Sequence, residues 1–263
     1  MVTRSLDIGA TGMLAQQLHV DVISNNIANM TTSGFKRQRP EFHDLIYQNK
    51  LRPGATSTDS NTTVPAGMQL GLGVGLGSVY RLHEQGTIQM TENQLDLAVI
   101  GEGYYQIELP SGDIAYTRSG VFQVNENGEI VTAQGYRLEP GLTVPEDTLD
   151  IVVNQSGEFL IKIPGQSEFQ NIGQMQLASF VNPAGLEGIG DTMFLETTAS
   201  GTPQTGNPNE EHYGAIRQGA LENSNVNIVE EITNLIAAQR AYEMNSNVIS
   251  TSDEMLQTVT QLR

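Results

Sequence analysis

The first thirty residues place an apolar side chain at every seventh position. The repeated positions are Leu6, Met13, Val20 and Ile27. Ile23 and Met30 each follow one of these by three residues, so the apolar positions share one face of a helix. At ~1.5 Å per residue this helix would be roughly 40 Å long, and residues 1–34 are predicted to form it.

The last forty residues repeat this pattern over a longer distance. The repeated positions are Ile228, Leu235, Tyr242, Ile249 and Leu256, and an adjacent row holds Ala241, Val248, Met255 and Leu262. Asn227 is suited to cap a helix N-terminus, with Glu230 three residues later. Residues 225–263 are therefore predicted to form a second long helix. Two helices with apolar seams predict a coiled-coil stem.

Between the helices the pattern changes to short apolar strands separated by glycines. Phe122 and Val124 alternate with polar residues, Asn127-Gly128 is a turn signal, and the chain returns as a second strand. Residues 86–199 are predicted to be an all-β domain. Residues 35–85 and 200–224 are predicted to be extended linker segments, because turn-forming residues dominate 50–67 and 200–211. The predicted fold class is α+β, with the β domain inserted between the two helices.

Glycines alternate with apolar residues from Leu70 to Gly77. A phosphate-binding loop does not fit this run, since Leu76 stands where G-x-G-x-x-G starting at Gly71 needs its last glycine, and no lysine follows. The alternation instead predicts an extended strand with one bare face, which another part of the chain can approach closely.

Composition narrows the classes of function. The formal net charge of −17 argues against binding nucleic acid or anionic membranes, because too few Lys and Arg are present to neutralise phosphates. The chain has no cysteine, which excludes disulfides and thiolate chemistry. The N-terminus has no continuous apolar run of the kind that signal peptides contain, so export would need another route. No direct membrane insertion is expected.

Residue types that carry catalysis are not grouped in this sequence. The four histidines are scattered without ligand spacing, and no G-x-S-x-G elbow is present. We therefore expect no enzyme activity, no metal and no cofactor.

Both ends of the chain resemble one protein family. DVISNNIANMTTSGFKRQRPEF (residues 21–42) resembles the N-terminal signature of bacterial flagellar rod and hook axial proteins, and QGALENSNVNIVEEITNLIAAQRAYEMNSNVISTSDEMLQTVTQL (residues 218–262) resembles their C-terminal signature. The middle, including AVIGEGYYQI, is similar to the distal rod subtype. Small departures are Met30, where the family usually has valine, and Tyr104-Tyr105, where two phenylalanines are common.

The resemblance implies a structural subunit of the distal rod of the flagellar basal body. Such a subunit crosses the inner membrane through the flagellar export apparatus, without a cleaved signal peptide. It polymerises helically with itself into a hollow drive shaft that transmits torque from motor to hook and conducts exported subunits. The paired helices are expected to form the inner tube and the β domain the outer one. Proximal rod, hook and surrounding ring proteins are the other partners implied.

Several single residues carry narrower expectations. Phe42 and Ile46 match the Phe-x-x-x-apolar form of an export element in this family, and a packing role on the stem is an equal alternative. Asn25 and Asn29 lie opposite the apolar face and would meet other subunits, border the channel or remain solvated. Gly34 is expected to end this region in a left-handed conformation.

Arg240 and Glu243 lie three residues apart on the second helix. They form either an ordinary surface pair or a contact between subunits.

Two alternatives to the distal rod remain open from the sequence. One is a proximal rod or hook paralogue. The other, of a different class, is a soluble acidic β-domain enzyme or binding protein whose terminal helices form a simple hairpin.

Overall fold

The computed structural model of the chain describes residues 2–51, 66–165 and 168–261. It divides into two compact units. The first comprises residues 1–27, 38–80 and 227–263, and the second comprises residues 28–37 and 81–226. The predicted α+β class, with a long helix at each end and a β-rich region between, is confirmed.

The two long helices belong to the first unit. Helix α1 spans Val2–Ala28 and helix α2 spans Ile228–Gln261. The Asn227 cap is confirmed, because its Oδ1 accepts a hydrogen bond from the Val229 N–H at 3.1 Å. Helix α1 ends six residues before the predicted Gly34, since residues 29–34 form turns. The expected left-handed conformation of Gly34 is confirmed by its φ of +72°.

Four strands complete the first unit. They are β1 (Gln38–Asp44), β2 (Gln48–Leu51), β3 (Met68–Leu70) and β4 (Val74–Arg81), with β1 paired to β4 and β2 to β3. We call residues 38–51 and 68–80 the arm. Strands therefore occupy part of the range expected to be a linker. Most of the Pro- and Thr-rich run from Lys50 to Gly67 lies outside the described residues.

The glycine-alternating run was predicted to be one extended strand from Leu70 to Gly77, and this is correct only for its second half. Strand β3 ends at Leu70 and β4 begins at Val74, and Gly73 between them has a φ of +117°. A Cβ atom on Gly75 would lie 2.6 Å from Nε2 of His43, and one on Gly77 would lie 3.0 Å from the carbonyl oxygen of Glu41. The bare face of β4 thus lets β1 approach to distances that a side chain would prevent.

The second unit consists of short strands. These are β5 (Ile88–Met90), β6 (Leu97–Ile100), β7 (Tyr104–Glu108), β8 (Ile114–Thr117), β9 (Phe122–Val124), β10 (Ile130–Thr132), β11 (Arg137–Leu138), β12 (Asp150–Val153), β13 (Glu158–Lys162), β14 (Gln170–Gln174), β15 (Leu177–Ser179), β16 (Glu187–Gly190), β17 (Met193–Leu195), β18 (Gln204–Gly206), β19 (Ala215–Gln218) and β20 (Ala220–Glu222). The predicted hairpin is β9–β10, which pairs antiparallel with Ile130 opposite Val124.

The largest sheet of this unit has nine strands. Its order is β16-β17-β8-β7-β11-β10-β9, and β15 pairs with both β7 and β18. A three-stranded sheet, β12-β13-β14, and the pairs β19-β6 and β20-β5 complete the unit. The core lies around Leu97, Tyr105, Phe122, Phe159 and Leu177, all fully buried. A smaller aromatic cluster contains Tyr104, Tyr116, Phe180 and Phe194.

Candidate assembly surface

Helices α1 and α2 pack antiparallel, mostly through small side chains. Ser5 Oγ lies 2.9 Å from Ser252 Oγ, so the start of α1 meets the end of α2. A Cβ atom on Gly9 would lie 2.9 Å from Cγ1 of Ile249, and one on Gly12 would lie 2.8 Å from Nδ2 of Asn245. The two helices therefore approach closely where α1 has no side chain.

The buried row of α2 contains no large apolar side chain. Glu231, Ala238 and Ser252 are buried, and they lie seven residues apart or at a multiple of seven. The half-buried Asn245 falls on the same row. This heptad row, rather than one of the apolar rows, faces the interior of the unit. The reason is steric, since small side chains let the helix axes come close.

The predicted seam residues lie beside this contact. Leu6, Met13, Val20, Ile27, Leu235, Ile249 and Leu256 are half-buried, and Ile228 and Tyr242 are exposed. Ile249 contacts α1 at Gly9. The structure therefore brings part of the seam to the edge of the helix pair and leaves part of it facing outward.

Helix α2 exposes a large amount of apolar surface. The exposed apolar side chains are Ile228, Val229, Ile232, Ile236, Tyr242, Met244, Val248 and Met255. Val248 and Met255 belong to the second row that the sequence singled out. Apolar surface repeated along more than seven helical turns is typical of a protein-protein contact, because leaving it in water is unfavourable.

The predicted polar residues are separate from one another. Asn25 is exposed, and Asn29 is half-buried with its Oδ1 accepting a hydrogen bond from Thr32 Oγ1 at 3.3 Å. Arg240 and Glu243 are both exposed on α2. In the described part of the chain no ion pair joins these two residues.

The predicted export element divides between two environments. Phe42 lies in β1, and its ring contacts the His19 ring edge-on with centroids 6.2 Å apart. Burial lowers the pKa of His19, and the negative charge of Glu231 opposes this effect. Ile46, in contrast, lies between β1 and β2 and is 82% exposed. Phe42 thus packs on α1, while Ile46 is accessible.

One polar residue of this unit was missed by the sequence analysis. Asn26, between the predicted Asn25 and Ile27, is 1% exposed and binds both Gln38 and Glu231. Its position three residues after the buried Ile23 was an available signal, because it places Asn26 on the inward face of α1.

The described residues contain no cluster of His, Asp and Glu that could hold a metal ion. Within the same residues, neither helix is both long and apolar enough to cross a membrane.

Sequence models of three flagellar families match this chain. The model described as flagella basal body rod protein matches residues 6–36. The flagellar hook protein FlgE/F/G D1 domain matches residues 98–161, and the flagellar basal body rod FlgEFG protein C-terminal model matches residues 217–262.

Relatives align over nearly the full length. The flagellar basal-body rod protein FlgG of Caulobacter vibrioides is 55% identical over 260 residues, covering 99% of each chain. FlgG of Borreliella burgdorferi is 46% identical, covering 96% of each chain, and FlgG of Bacillus subtilis is 37% identical, covering 99% of each.

Among solved structures, the flagellar hook protein FlgE2 of Helicobacter pylori aligns with 71% of this chain and 43% of its own, at 12% identity and a TM-score of 0.24. That likeness is too low to support a comparison of folds. The identity to the full-length relatives is decisive: the chain belongs to the family of flagellar basal-body rod proteins represented by FlgG.

Proposed function

We propose that this chain is a structural subunit of the flagellar distal rod. Copies of the chain polymerise helically into a hollow shaft that transmits torque from the motor to the hook and lets exported subunits pass. The role is structural rather than catalytic. The subunit works in the basal body, next to proximal rod, hook and ring proteins, after leaving the cell through the flagellar export apparatus.

The observation that carries this proposal is the exposed apolar surface of α2. Fully burying an exposed side chain of this size contributes ~1.5 to 3 kcal/mol, and these eight are 43% to 75% exposed, so packing against other copies would gain part of that amount for each of them. The contact with α1 uses the row of Glu231, Ala238, Asn245 and Ser252 together with Ile249, which leaves the exposed apolar side chains of α2 available for other copies. The nine predicted seam residues would then lie within or beside contacts between copies.

The remaining predicted residues have roles outside the single chain. Asn25, Asn29, Arg240 and Glu243 meet other copies or border the channel of the shaft, where neutral amides would let unfolded chains slide. Phe42 and Ile46 serve as the export element, and the 82% exposure of Ile46 supports access by a receptor. Packing on α1 is the competing role for Phe42.

Electron microscopy of the purified full-length chain tests the proposal. We expect straight tubes with helical symmetry, together with concentration-dependent sedimentation. A chain that stays monomeric at high concentration and forms no tubes would contradict it. A chain that forms curved tubes would favour the hook paralogue.

The alternative of a small-molecule binding protein has one feature to consider. A cavity of about 480 Å³ in the second unit is lined by Lys36, Arg118 and Tyr104, among others. The two cationic side chains are already bound to Glu222. The charges that a ligand would need are therefore engaged within the chain, which favours the structural role.

A further inference from the structure

Asn26 joins three elements of the first unit through one buried side chain. Its Nδ2 donates to the carbonyl oxygen of Gln38 at 2.9 Å, and its Oδ1 accepts from the Gln38 N–H at 2.8 Å. The same Nδ2 donates to Oε2 of Glu231 at 3.3 Å. The last turn of α1, the first residue of β1 and the first turn of α2 therefore meet at this amide.

The paired bonds to Gln38 reproduce the pattern of a β ladder. In an antiparallel sheet, two opposed residues exchange both an N–H and a C=O hydrogen bond. Here the side-chain amide of Asn26 takes the place of the partner strand. Strand β1 thus begins at a position fixed by a helix, because both main-chain groups of its first residue are bound to α1.

From Gln38 the arm follows α1 back toward its N-terminus. Phe42 contacts His19 one step along, with ring centroids 6.2 Å apart. Further along, Gly73 lies so close to Thr11 that a Cβ atom would collide with its Oγ1. The first of these is an edge-on contact between two rings and the second is a close approach of backbone to a side chain. Neither involves the first residue of the arm, so neither fixes where the arm begins.

We propose that Asn26 is a positioning residue that sets where the arm lies along α1. Only an uncharged amide both donates to the Gln38 carbonyl and accepts from its N–H while also donating to the Glu231 carboxylate. Aspartate would lose the donor and face a second carboxylate. Alanine would leave a part-buried N–H of Gln38 without its acceptor, which is unfavourable.

This inference concerns the single chain and stands whether or not copies polymerise. Its consequence for the shaft rests on the proposed function: each copy would then present its arm in the same position.

The absence of cysteine makes a distance measurement direct, because introduced cysteines are the only labelling sites. We would place spin labels at the exposed Gln17 on α1 and Gln48 on the arm of the full-length chain. A second pair, Gln17 with the exposed Gln239 on α2, reports on the helix pair alone. The control variant is Ser24→Ala, whose exposed hydroxyl donates to the carbonyl of Val20 in its own helix.

For Asn26→Ala we expect the Gln17–Gln48 distance distribution to broaden by about twofold or more, while the Gln17–Gln239 distribution stays narrow. Asn26→Asp should broaden it as well, and Asn26→Asp combined with Glu231→Gln should narrow it in part, because the amide introduced at position 231 then donates to position 26 while the Gln38 carbonyl still lacks its donor. The proposal is overturned if Asn26→Ala leaves the arm distance unchanged. It is equally overturned if both distances broaden together, since Asn26 would then stabilise the whole unit.

Electron microscopy of the same variants separates this inference from the proposed function. If the unmodified chain forms no tubes, the proposed polymer is contradicted, while the conclusion drawn from the spin-label distances is unaffected. Tubes from Asn26→Ala identical to parent tubes would count against the consequence for the shaft.

Discussion

Lys36 and Glu222, which are 186 residues apart in the chain, form a buried ion pair with Nζ and Oε1 2.6 Å apart. Their side chains are 2% and 0% exposed. Arg118 Nε lies 2.6 Å from the other carboxylate oxygen, and the Gly86 N–H donates to Oε1 at 2.8 Å. Three distant segments of the second unit thus converge on a carboxylate carried by a fourth.

Removing this carboxylate's charge should strongly destabilise the second unit. Glu222→Gln leaves Lys36 and Arg118 buried without a counter-charge, so we expect the free energy of unfolding to fall by about 3–5 kcal/mol. The control is Glu129→Gln, whose partner Arg137 is 48% exposed and whose loss should cost about 0–1 kcal/mol. Urea unfolding measures both. Equal losses would mean that the buried charges are compensated in another way.

Replacing Tyr105 with phenylalanine should stabilise the second unit. Its ring is fully buried against Phe122, with centroids 5.2 Å apart, and its hydroxyl has no hydrogen-bond partner among the described residues. Since an unpaired buried hydroxyl is unfavourable, Tyr105→Phe should raise the free energy of unfolding by about 1–2 kcal/mol.

Tyr104→Phe is the matched control, because the Tyr104 hydroxyl lies 2.7 Å from His83 Nδ1. It should lower the free energy of unfolding by about 1 kcal/mol. Thermal unfolding of the two variants decides the matter. Destabilisation by Tyr105→Phe would show that this hydroxyl has a partner in solution.

Stability of the second unit should fall in mild acid because of His83. Burial lowers the pKa of His83 to about 4, and the charges of Lys36, Arg81 and Arg118 act in the same direction. The unfolded chain, with a histidine pKa of about 6.5, then binds a proton that the folded chain does not. The stability is fully present above pH ~6.5 and decreases toward pH ~4, by up to about 3 kcal/mol.

His83→Gln should flatten this part of the pH profile, measured by urea unfolding at several pH values. His19 also has a pKa lowered by burial but is kept in both proteins, so the difference isolates His83. Glu222 contributes at lower pH: desolvation raises its pKa, but Arg118 and Lys36 outweigh this and leave it lowered. That contribution is present above pH ~4.5 and is lost as pH falls through the folded pKa. If the free energy of unfolding of His83→Gln fell between pH ~6.5 and ~4 as steeply as that of the parent chain, the prediction for His83 would be contradicted.

Gly34 should not tolerate a side chain. Its φ is +72°, and a Cβ atom would lie 2.6 Å from the backbone nitrogen of Ser119. Gly34→Ala should therefore cost clearly more than the ~1–2 kcal/mol of a left-handed alanine. Gly112→Ala is the control, because Gly112 has a φ of +88° with open space around it. If thermal unfolding gave equal losses for both variants, the close approach at Ser119 would not exist in solution.

Local patterns predicted the elements of this fold better than their contacts. The two helices, the Asn227 cap and the β9–β10 hairpin depend on neighbouring residues, so periodicity and turn signals were sufficient. Strand β4 was predicted to be extended, but its pairing with β1 was not predicted. Its glycines carry no side chain that could indicate a partner, and the partner strand, near His43, lies about thirty residues away in the chain.

The contacts of the helices were harder to predict for a physical reason. Heptad analysis follows large apolar residues, whereas α2 turns Ala238 and Ser252 toward the interior. The role of Asn26 depends on Gln38 and Glu231, and the latter is 205 residues away in sequence. Which residues form such polar contacts is decided by the fold and cannot be predicted from the local sequence pattern.

Contact between copies through α2 is tested most directly by sedimentation and electron microscopy of one matched pair of full-length variants. Val248→Ser with Met255→Ser removes exposed apolar side chains, and Asn247→Ser with Glu254→Ser changes exposed polar neighbours. We expect the first to keep its helix content and the unfolding of the second unit but to form no tubes, while the second forms tubes like the parent. Tubes of normal length from the Val248→Ser and Met255→Ser chain would contradict assembly through this surface.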